Sequence, residues 1–504
     1  MLRRRRRRAR TPRGDGVWAP ERRQLTVGLS LAVTVVAVEA MAVATILPIV
    51  VRRLGDLSLY GWVFSAFMLS GLLGVVVAGT LADRGPLVRP MLAGLALFAA
   101  GLLVGGTAPS MPVLVAGRAL QGLGAGAVPA IAYVAISRGY VERVRPKMFA
   151  LLATAWVVPS LVGPATAAVV AVRFGWRWVF IGLVPIVVLA GAAAARALRS
   201  IPPPARVREG VVPYLHVIGV IAGAAIVLAS STTGRLPVVI PGVACGALLL
   251  TISLRRLTPR GTLTARPGLP ATVLTRGLLT FAFYAGDAYV PYALTTVRHS
   301  SPLLAGVAFF VSTLTWTASS WIQARAVRRL GPRWLVRAGT CVMVAGVATM
   351  GATVDPSVPT WLGVIAWGIA GGGMGLAYSP LSLTTLDRAA AGETGKATSG
   401  LQVSDTLGVA LGTGGAGAIV AAAAVSLGPR IGAALAFTLG AGVGVIALFA
   451  SRGLPTRLGL ATPQAGVAGT PEAGPLGPAA GQAVPARAEA GGTSAELSHP
   501  SCTR

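Results

Sequence analysis

The chain has 504 residues, of which 54% are hydrophobic and only 12% are charged. Because soluble domains carry about 25% charged residues, this composition excludes a water-soluble protein. The formal net charge of +29 would suggest nucleic-acid binding in a soluble protein. Here the arginines lie beside apolar runs, where they set membrane orientation and meet anionic lipid headgroups. We therefore expect the lipid bilayer as a partner, and no nucleic acid.

Apolar runs long enough to cross a hydrocarbon layer of about 30 Å recur along the chain. They predict an all-α polytopic membrane protein with about fourteen transmembrane spans. The predicted spans are 25–51, 59–82, 88–108, 112–138, 147–171, 177–198, 211–231, 236–254, 270–296, 302–325, 333–353, 358–385, 396–424 and 430–451.

The spans divide into two six-helix bundles with a pair of extra helices between them. The N-terminal bundle is predicted at 25–200 and the C-terminal bundle at 269–452, with the extra pair in the linker 201–268. A basic arm, 1–24, precedes them. The tail, 453–504, is rich in Ala, Gly and Pro without periodicity, and this composition predicts disorder.

The charged start could belong to a signal peptide, but the first apolar run is too long for one, so we expect a retained helix. Arginines gather in alternate loops, notably 84–89, 138–147 and 325–337. By the positive-inside rule these loops and both termini are predicted to be cytoplasmic. The expected location is the cell inner (plasma) membrane, crossed many times.

Enzyme chemistry and resident cofactors are not expected. The sequence has no Walker-type phosphate loop and no Ser/His/Asp arrangement. Its three cysteines and three histidines have no metal-ligand spacing. We expect no enzyme, no metal site and no cofactor, with a proton gradient as the energy source and a monomer as the oligomeric state.

The two predicted bundles share short motifs in the same order, which indicates an internal repeat. Facilitator-type transporters are built from two such halves, with the substrate bound between them near the midplane. The matched features are 83–89 with 328–337, 122–129 with 371–380, and the interval Lys147 to Gly163 with that from Lys396 to Gly412.

Charged residues inside apolar spans are costly and mark functional sites. The candidates for proton coupling are Glu39, Arg118, Asp287 and Asp405. The structural alternative for Glu39 is a carboxylate satisfied by neighbouring hydroxyls or by Arg118, and for Asp287 it is a hydrogen-bonded structural acid. For Asp405 the alternative is a position too close to the cytoplasmic end to be deeply buried. An acid flanked by tyrosines can also hold a cation through cation–π contact. The candidates for the substrate cavity are Gln121, Tyr284, Tyr289, Trp316 and Gln402.

The stretch 79–90 resembles the loop signature between the second and third helices of the major facilitator superfamily. Gly79, Asp83, Arg84, Gly85 and Arg89 carry the match, with one residue missing after Arg84. The resemblance implies that Asp83 is part of a conformational lock at the inner membrane edge.

Two further motifs resemble those of drug:proton antiporters, the one at Glu39 being that of the fourteen-span group, and the motif at Arg118 resembles a signature of the whole superfamily. Glu39 and Pro48 fit the first-helix signature, although the family usually has Asp at the acid position and often a following Asn. Arg118 begins an R-x-x-Q-G-x-G motif that the family associates with proton coupling. Gly163 and Pro164 fit the helix-five antiporter motif, whose final glycines are replaced here.

The resemblance covers about residues 25–452 and implies a proton-coupled efflux transporter. We expect it to export lipophilic drugs or antibiotics, with cations among the candidates, by alternating access. A dedicated exporter of one endogenous metabolite, such as an antibiotic or a siderophore, shares every motif above. A non-transporting membrane scaffold or sensor is a rival from another class, but buried acids cost stability and give a scaffold nothing.

Overall fold

The computed structural model describes residues 16–141, 144–201, 214–233, 235–390 and 394–458, and within these ranges the chain is all helical. Most of the predicted basic arm, linker residues 202–213 and the tail from 459 onward lie outside the described residues.

Among the described residues, seven α-helices lie in the first half of the chain. The helices of this half are α1 (Pro20–Leu54), α2 (Tyr60–Arg84), α3 (Val88–Gly106), α4 (Met111–Gly139), α5 (Arg145–Arg173), α6 (Arg177–Ile181) and α7 (Val184–Leu198). Their apolar side chains pack into one continuous core that extends into the second half.

A helical hairpin follows, and then the second half. The hairpin is α8 (Tyr214–Thr232) and α9 (Leu236–Leu257). The remaining helices are α10 (Leu269–Asp287), α11 (Val290–Tyr292), a π-helical turn (Ala293–Val297), α12 (Pro302–Leu330), α13 (Pro332–Ala352), α14 (Trp361–Arg388), α15 (Thr394–Ser426) and α16 (Pro429–Ala450).

Among the described residues, twelve helices are long and apolar enough to cross a membrane. This confirms a multi-pass helical membrane protein, whereas the predicted count of fourteen is not confirmed. The two predicted spans missing from the twelve correspond to α5 and α10. The first of these is 29 residues long and only partly described, and the second carries Arg276 and ends at Asp287.

Glycines in α4 and α14 occupy corresponding positions in the two halves. In α4, a Cβ on Gly122 would strike the backbone of α2, and one on Gly124 would strike α3. In α14, a Cβ on Gly371 would strike α12, and one on Gly373 would strike α13. Only glycine allows helices to approach this closely on both sides. We therefore treat α4 and α14 as equivalent helices.

A second pair of glycines gives the same correspondence. Gly163 of α5 faces Met41 of α1, and Gly412 of α15 faces Phe281 of α10. The helix α10 therefore holds, in its half, the place that α1 holds in the other.

The hairpin α8–α9 lies beside the boundary between the halves. Val217, Val220 and Ala224 of α8 form a small apolar cluster with residues of both α2 and α15, including Leu72 and Leu407. The helix α9 packs mainly on α8, and little of its surface is covered by the rest of the chain.

Candidate functional site

A buried ion pair joins α1 to α4 in the first half. Arg118 pairs through Nη1 with Oε1 of Glu39, and the same nitrogen donates to Oε1 of Gln121. Its Nε donates to the carbonyl oxygen of Val63 at 3.0 Å, and its guanidinium lies over the ring of Phe67. Both charged residues are almost completely buried. Three of the sequence candidates, Glu39, Arg118 and Gln121, thus form one cluster.

This cluster leaves two buried polar atoms without a hydrogen-bond partner among the described residues. They are Oε2 of Glu39 and Nε2 of Gln121. A buried polar atom without a partner is expensive, and natural proteins retain such atoms mainly where they have a function. The free carboxylate oxygen is a place where a proton can bind.

A second buried ion pair lies in the other half, between α10 and α15. Arg276 donates from Nε to Oδ1 of Asp405 at 2.6 Å and from Nη1 to the carbonyl oxygen of Tyr378 at 2.8 Å. The Tyr378 hydroxyl donates to Oδ2 of Asp405 at 3.2 Å, and its ring lies under the guanidinium. In the first half, α1 carries the acid of the pair, Glu39. In the second half, the equivalent helix α10 carries the base, Arg276.

Arg276 was not among the sequence candidates. The available signal was an arginine inside the predicted span 270–296, where an always-charged side chain requires an anionic partner. Asp287 was the candidate in that span.

Asp287 is not in either ion pair. Its Oδ1 accepts a hydrogen bond from Nε1 of Trp367 at 3.2 Å. It is the last residue of α10, and Arg276 lies eleven residues earlier on the same helix. This contact matches the structural alternative of a hydrogen-bonded acid.

A row of aromatic rings connects the region of Asp287 to the Arg276 pair. Trp367 stacks on Phe283, Phe283 meets the edge of Trp316, and Trp316 meets Tyr378, with centroid separations of 5.0, 5.6 and 5.5 Å. Tyr284 joins the row through Phe283. The side chains of Trp316, Tyr284 and Tyr378 are only partly buried. Such rings offer flat apolar surface and can hold a cation.

The other two cavity candidates lie elsewhere. Tyr289 is fully buried between the halves, where its hydroxyl donates to the carbonyl oxygen of Thr413 at 3.2 Å. Gln402 is exposed, and its amide contacts Thr406 of the same helix. The structure brings neither residue to the aromatic row.

Tyr289 belongs to a contact that joins the two halves at one end of the bundle. Its ring lies 4.9 Å from that of Tyr60, whose hydroxyl donates to the carbonyl oxygen of Ala288 at 3.0 Å. Tyr292 packs against Tyr60 as well. Gly61 and Gly417 let α2 and α15 approach so closely that a Cβ on either would clash with the opposite helix. This end of the bundle is closed.

The helix-five motif lies where α5 meets both halves. Gly163 faces α1, as described above, while Pro164 packs against Gly306 of α12. A Gly-Pro step removes one backbone hydrogen bond, which makes a helix easier to bend.

The predicted loop 79–90 is mostly helical. The helix α2 continues to Arg84 and α3 begins at Val88, so Gly79 and Asp83 lie in the last turns of α2. Asp83 is half exposed and lies 3.7 Å from Arg138 of α4, which also donates to the carbonyl oxygen of Ala82. Gly85 is in the short turn, and Arg84 and Arg89 are exposed.

No group of three or more His, Cys, Asp or Glu side chains suited to a metal occurs in the described part of the chain. Cys245 and Cys341 are both exposed free thiols.

Comparisons with other sequences identify the family. A model of the Major Facilitator Superfamily matches residues 29–413. A protein of Mycobacterium tuberculosis (strain ATCC 25618 / H37Rv), named a probable multidrug-efflux transporter, is 28% identical over 450 residues, which cover 84% of this chain and 93% of that protein. The multidrug transporter protein MdtP of Bacillus subtilis (strain 168) is 24% identical over 420 residues, covering 79% and 75%.

Solved structures show the same fold. A bacterial homologue of the human lysosomal transporter Spinster aligns with a TM-score of 0.61 at 15% identity, covering 86% of this chain and 98% of that one. The peptide-transporter-family protein PepTSo aligns with a TM-score of 0.63 at 12% identity, covering 85% and 97%. With a family model that matches most of its length and transporters among its relatives, the chain belongs to the major facilitator superfamily and is a transporter rather than an enzyme.

Proposed function

We propose that this protein is a proton-coupled exporter of lipophilic compounds, including cations, of the fourteen-span drug:proton antiporter type. The names of the relatives in Mycobacterium tuberculosis and Bacillus subtilis support drug efflux. The observation that carries the proton coupling is the buried Glu39–Arg118 pair with its unpartnered carboxylate oxygen.

The pair is suited to proton coupling because its two states differ in electrostatics. With Glu39 ionised, the carboxylate and the guanidinium neutralise each other away from water. Removing one charge of a buried pair leaves the other uncompensated, at a cost of about 3–5 kcal/mol. A proton on Glu39 therefore frees Arg118 and favours a rearrangement of α1 against α4. The free energy of the proton gradient is coupled in this way to a conformational change.

The substrate would bind along the aromatic row of the second half. The partly buried rings of Tyr284, Trp316 and Tyr378 provide apolar surface. Asp287 and Asp405 provide negative charge near the two ends of the row. A lipophilic cation satisfies both features, since its charge is attracted to the carboxylates and to the ring faces.

Transport would proceed by alternating access. With the N-terminus in the cytoplasm, the end closed by Tyr60 and Tyr289 is the outer one, so this end has to open before substrate is released outward. A proton that enters from outside in the outward-facing state neutralises an acid and releases substrate outward. The proton leaves to the cytoplasm when the transporter returns.

We also propose fourteen spans, with both termini in the cytoplasm of a monomer in the cell inner membrane. The helix α5 is long enough to cross a bilayer, because 29 residues at about 1.5 Å each exceed 30 Å. The 19-residue α10 is extended by α11 and the π-helical turn to Val297.

The test is transport in liposomes that hold the purified protein and an imposed pH gradient, with uptake of an ethidium-type dye as the readout. Wild type should move the dye in the direction opposite to the protons, and dissipating the gradient should stop it. Glu39→Gln should abolish the dependence on the gradient, whereas Asp355→Asn, in an exposed loop, should not. If dye transport is unchanged after the pH gradient collapses, the proposal of proton antiport is wrong. A Glu39→Gln variant as fast as wild type would overturn the role of Glu39.

A further inference from the structure

A basic cavity lies where α9 is followed by α10, outside the transport machinery described above. It has a volume of about 900 Å³ and is lined by the turn between these helices, with Ala390 and Ala397 of the neighbouring segments. Its four charged lining residues are all arginines: Arg255, Arg256, Arg260 and Arg266.

The turn that carries these arginines has defined internal contacts. Gly261 has a φ of +89°, and the side chain of Arg266 packs against it. The backbone N–H of Arg266 donates to the carbonyl oxygen of Gly261 at 3.1 Å, and the Thr262 hydroxyl donates to that of Pro259 at 2.7 Å. The arginines are therefore presented on a structured turn.

The turn is also attached to the second half on both sides. The backbone N–H of Gly268 donates to the carbonyl oxygen of Gly453 at 2.8 Å. Gly400 of α15 lies against the carbonyl of Leu257 and against Pro259. The cavity is thereby held at a fixed place relative to α15.

The described residues that line this cavity contribute four positive charges and no aspartate or glutamate. Among the described residues near the lining residue Ala390, Asp387 pairs with Arg388 at 3.4 Å. The four arginine side chains are exposed. Four guanidinium groups without carboxylates form a strong anion-binding site, and their planar forks match phosphate oxygens.

The position of the cavity indicates where the phosphate comes from. Arg255 and Arg256 are in the last turn of α9, a helix that is largely uncovered by the rest of the chain and so faces lipid. The end of a lipid-facing helix lies at the depth of the headgroups. Basic pockets at the ends of membrane helices are suited to anionic lipid headgroups.

We infer that the cavity formed by Arg255, Arg256, Arg260 and Arg266 binds a phosphate ester, supplied by the headgroup of an anionic phospholipid. A bound headgroup would attach the hairpin α8–α9 to the C-terminal half through the lipid. This inference does not depend on the transport substrate or on proton coupling.

The experiment measures lipid retention by native mass spectrometry after detergent exchange. The protein is incubated with phosphatidylglycerol or with phosphatidylcholine, and in a separate arm its melting temperature is measured with glycerol phosphate or inorganic phosphate. The test variant replaces the four arginines with glutamine. The matched control replaces four exposed arginines at the other end of the bundle with glutamine: Arg52, Arg53, Arg173 and Arg235.

Retention of phosphatidylglycerol by wild type and by the control, with at least a tenfold loss in the test variant, is the expected result. Stabilisation of wild type by the soluble phosphates, absent in the test variant, would support the site and identify a free phosphate as an alternative source. Equal retention by the two variants, or equal retention of phosphatidylcholine and phosphatidylglycerol by wild type, would overturn the inference. Melting temperatures of both variants without lipid establish that they are folded.

Discussion

Arg276 of α10 donates a hydrogen bond to Asp405 of α15 over 2.6 Å, in a site from which water is almost excluded. This bond holds α10 and α15 of the second half together. We expect Arg276→Gln to destabilise the protein by about 3–5 kcal/mol, because Asp405 then keeps a buried charge without a partner. Arg276→Gln combined with Asp405→Asn should recover at least half of that loss.

Thermal unfolding in detergent of the wild type, the two single variants and the double variant measures the coupling. Additive losses would mean that the two residues do not interact energetically. Transport by the double variant adds a second readout: a stable double variant without gradient-driven transport would assign the pair to coupling as well as to folding.

Gly61 controls the closed end of the bundle. A Cβ at this position would lie 2.7 Å from the carbonyl oxygen of Thr413 and 3.1 Å from the Tyr289 hydroxyl. Gly61→Val should therefore separate α2 from α15 and increase the labelling rate of a cysteine placed at Ala288 by a membrane-impermeant maleimide severalfold. The background would lack the three native cysteines. Gly442→Val, in α16, is the matched control, since a Cβ at Gly442 meets nothing within 4 Å. Equal labelling in the two variants would contradict this assignment.

Asp83 makes a long contact with Arg138 in an exposed setting. Ion pairs of this kind contribute about 0–1 kcal/mol, so Asp83→Asn should change the melting temperature little. If the pair acts as a lock, the variant should slow transport severalfold while substrate affinity stays the same. The two quantities are separated by measuring dye binding to the purified protein and transport in liposomes. A variant that loses binding but transports normally at saturating dye would assign Asp83 to the substrate site instead.

Trp316 is the central ring of the aromatic row. Its ring is held by contacts with Phe283 and Tyr378. In the proposed site it would stack on a bound aromatic cation, and such a contact contributes about 0.5–1.5 kcal/mol beyond buried area. Trp316→Ala should weaken binding of an aromatic cation about tenfold, while Trp361→Ala, at an exposed helix start, should not. Fluorescence titration with an ethidium-type dye gives both affinities. Equal affinities would remove the aromatic row from the proposed binding site.

Asp355 lies in the loop between α13 and α14 and provides a pH control. The backbone N–H and the hydroxyl of Ser357 donate to its carboxylate, and with Arg430 and Arg298 they lower the pKa of Asp355 below its ordinary value. A lowered pKa means that the stabilising contribution is present above the ordinary pKa and is lost as pH falls through the lowered one. Asp355→Asn should therefore leave the pH profile of transport unchanged near neutrality. If Asp355→Asn shifts the pH dependence of transport near neutrality, the loop takes part in proton coupling.

Much of the architecture could be predicted from the length of the apolar runs, because a chain segment that crosses a bilayer must satisfy every backbone group internally and is therefore helical. The pairing of Glu39 with Arg118 was considered from sequence, since both interrupt apolar spans and each needs an opposite charge. The pairing of Arg276 with Asp405 was not, because Arg276 was not recognised as a charge that interrupts its span, although it meets the same criterion. The position of Tyr289 between the two halves was also not predicted from the sequence. A tyrosine near an acid is typical of a cation site, whereas here packing between the halves determines its contacts.

The hairpin α8–α9 has a mechanical consequence. Leu72 of α2 and Leu407 of α15 both belong to the apolar cluster with Val217 and Val220 of α8. In the proposed alternating-access cycle the halves rotate against each other, so α8 would not keep both neighbours unchanged. It must slide on one of them while it moves with the other. The apolar contacts of α8 with the neighbour on which it slides would have to break and re-form in every cycle. They would therefore slow the conformational change and help to set the turnover rate of the transporter.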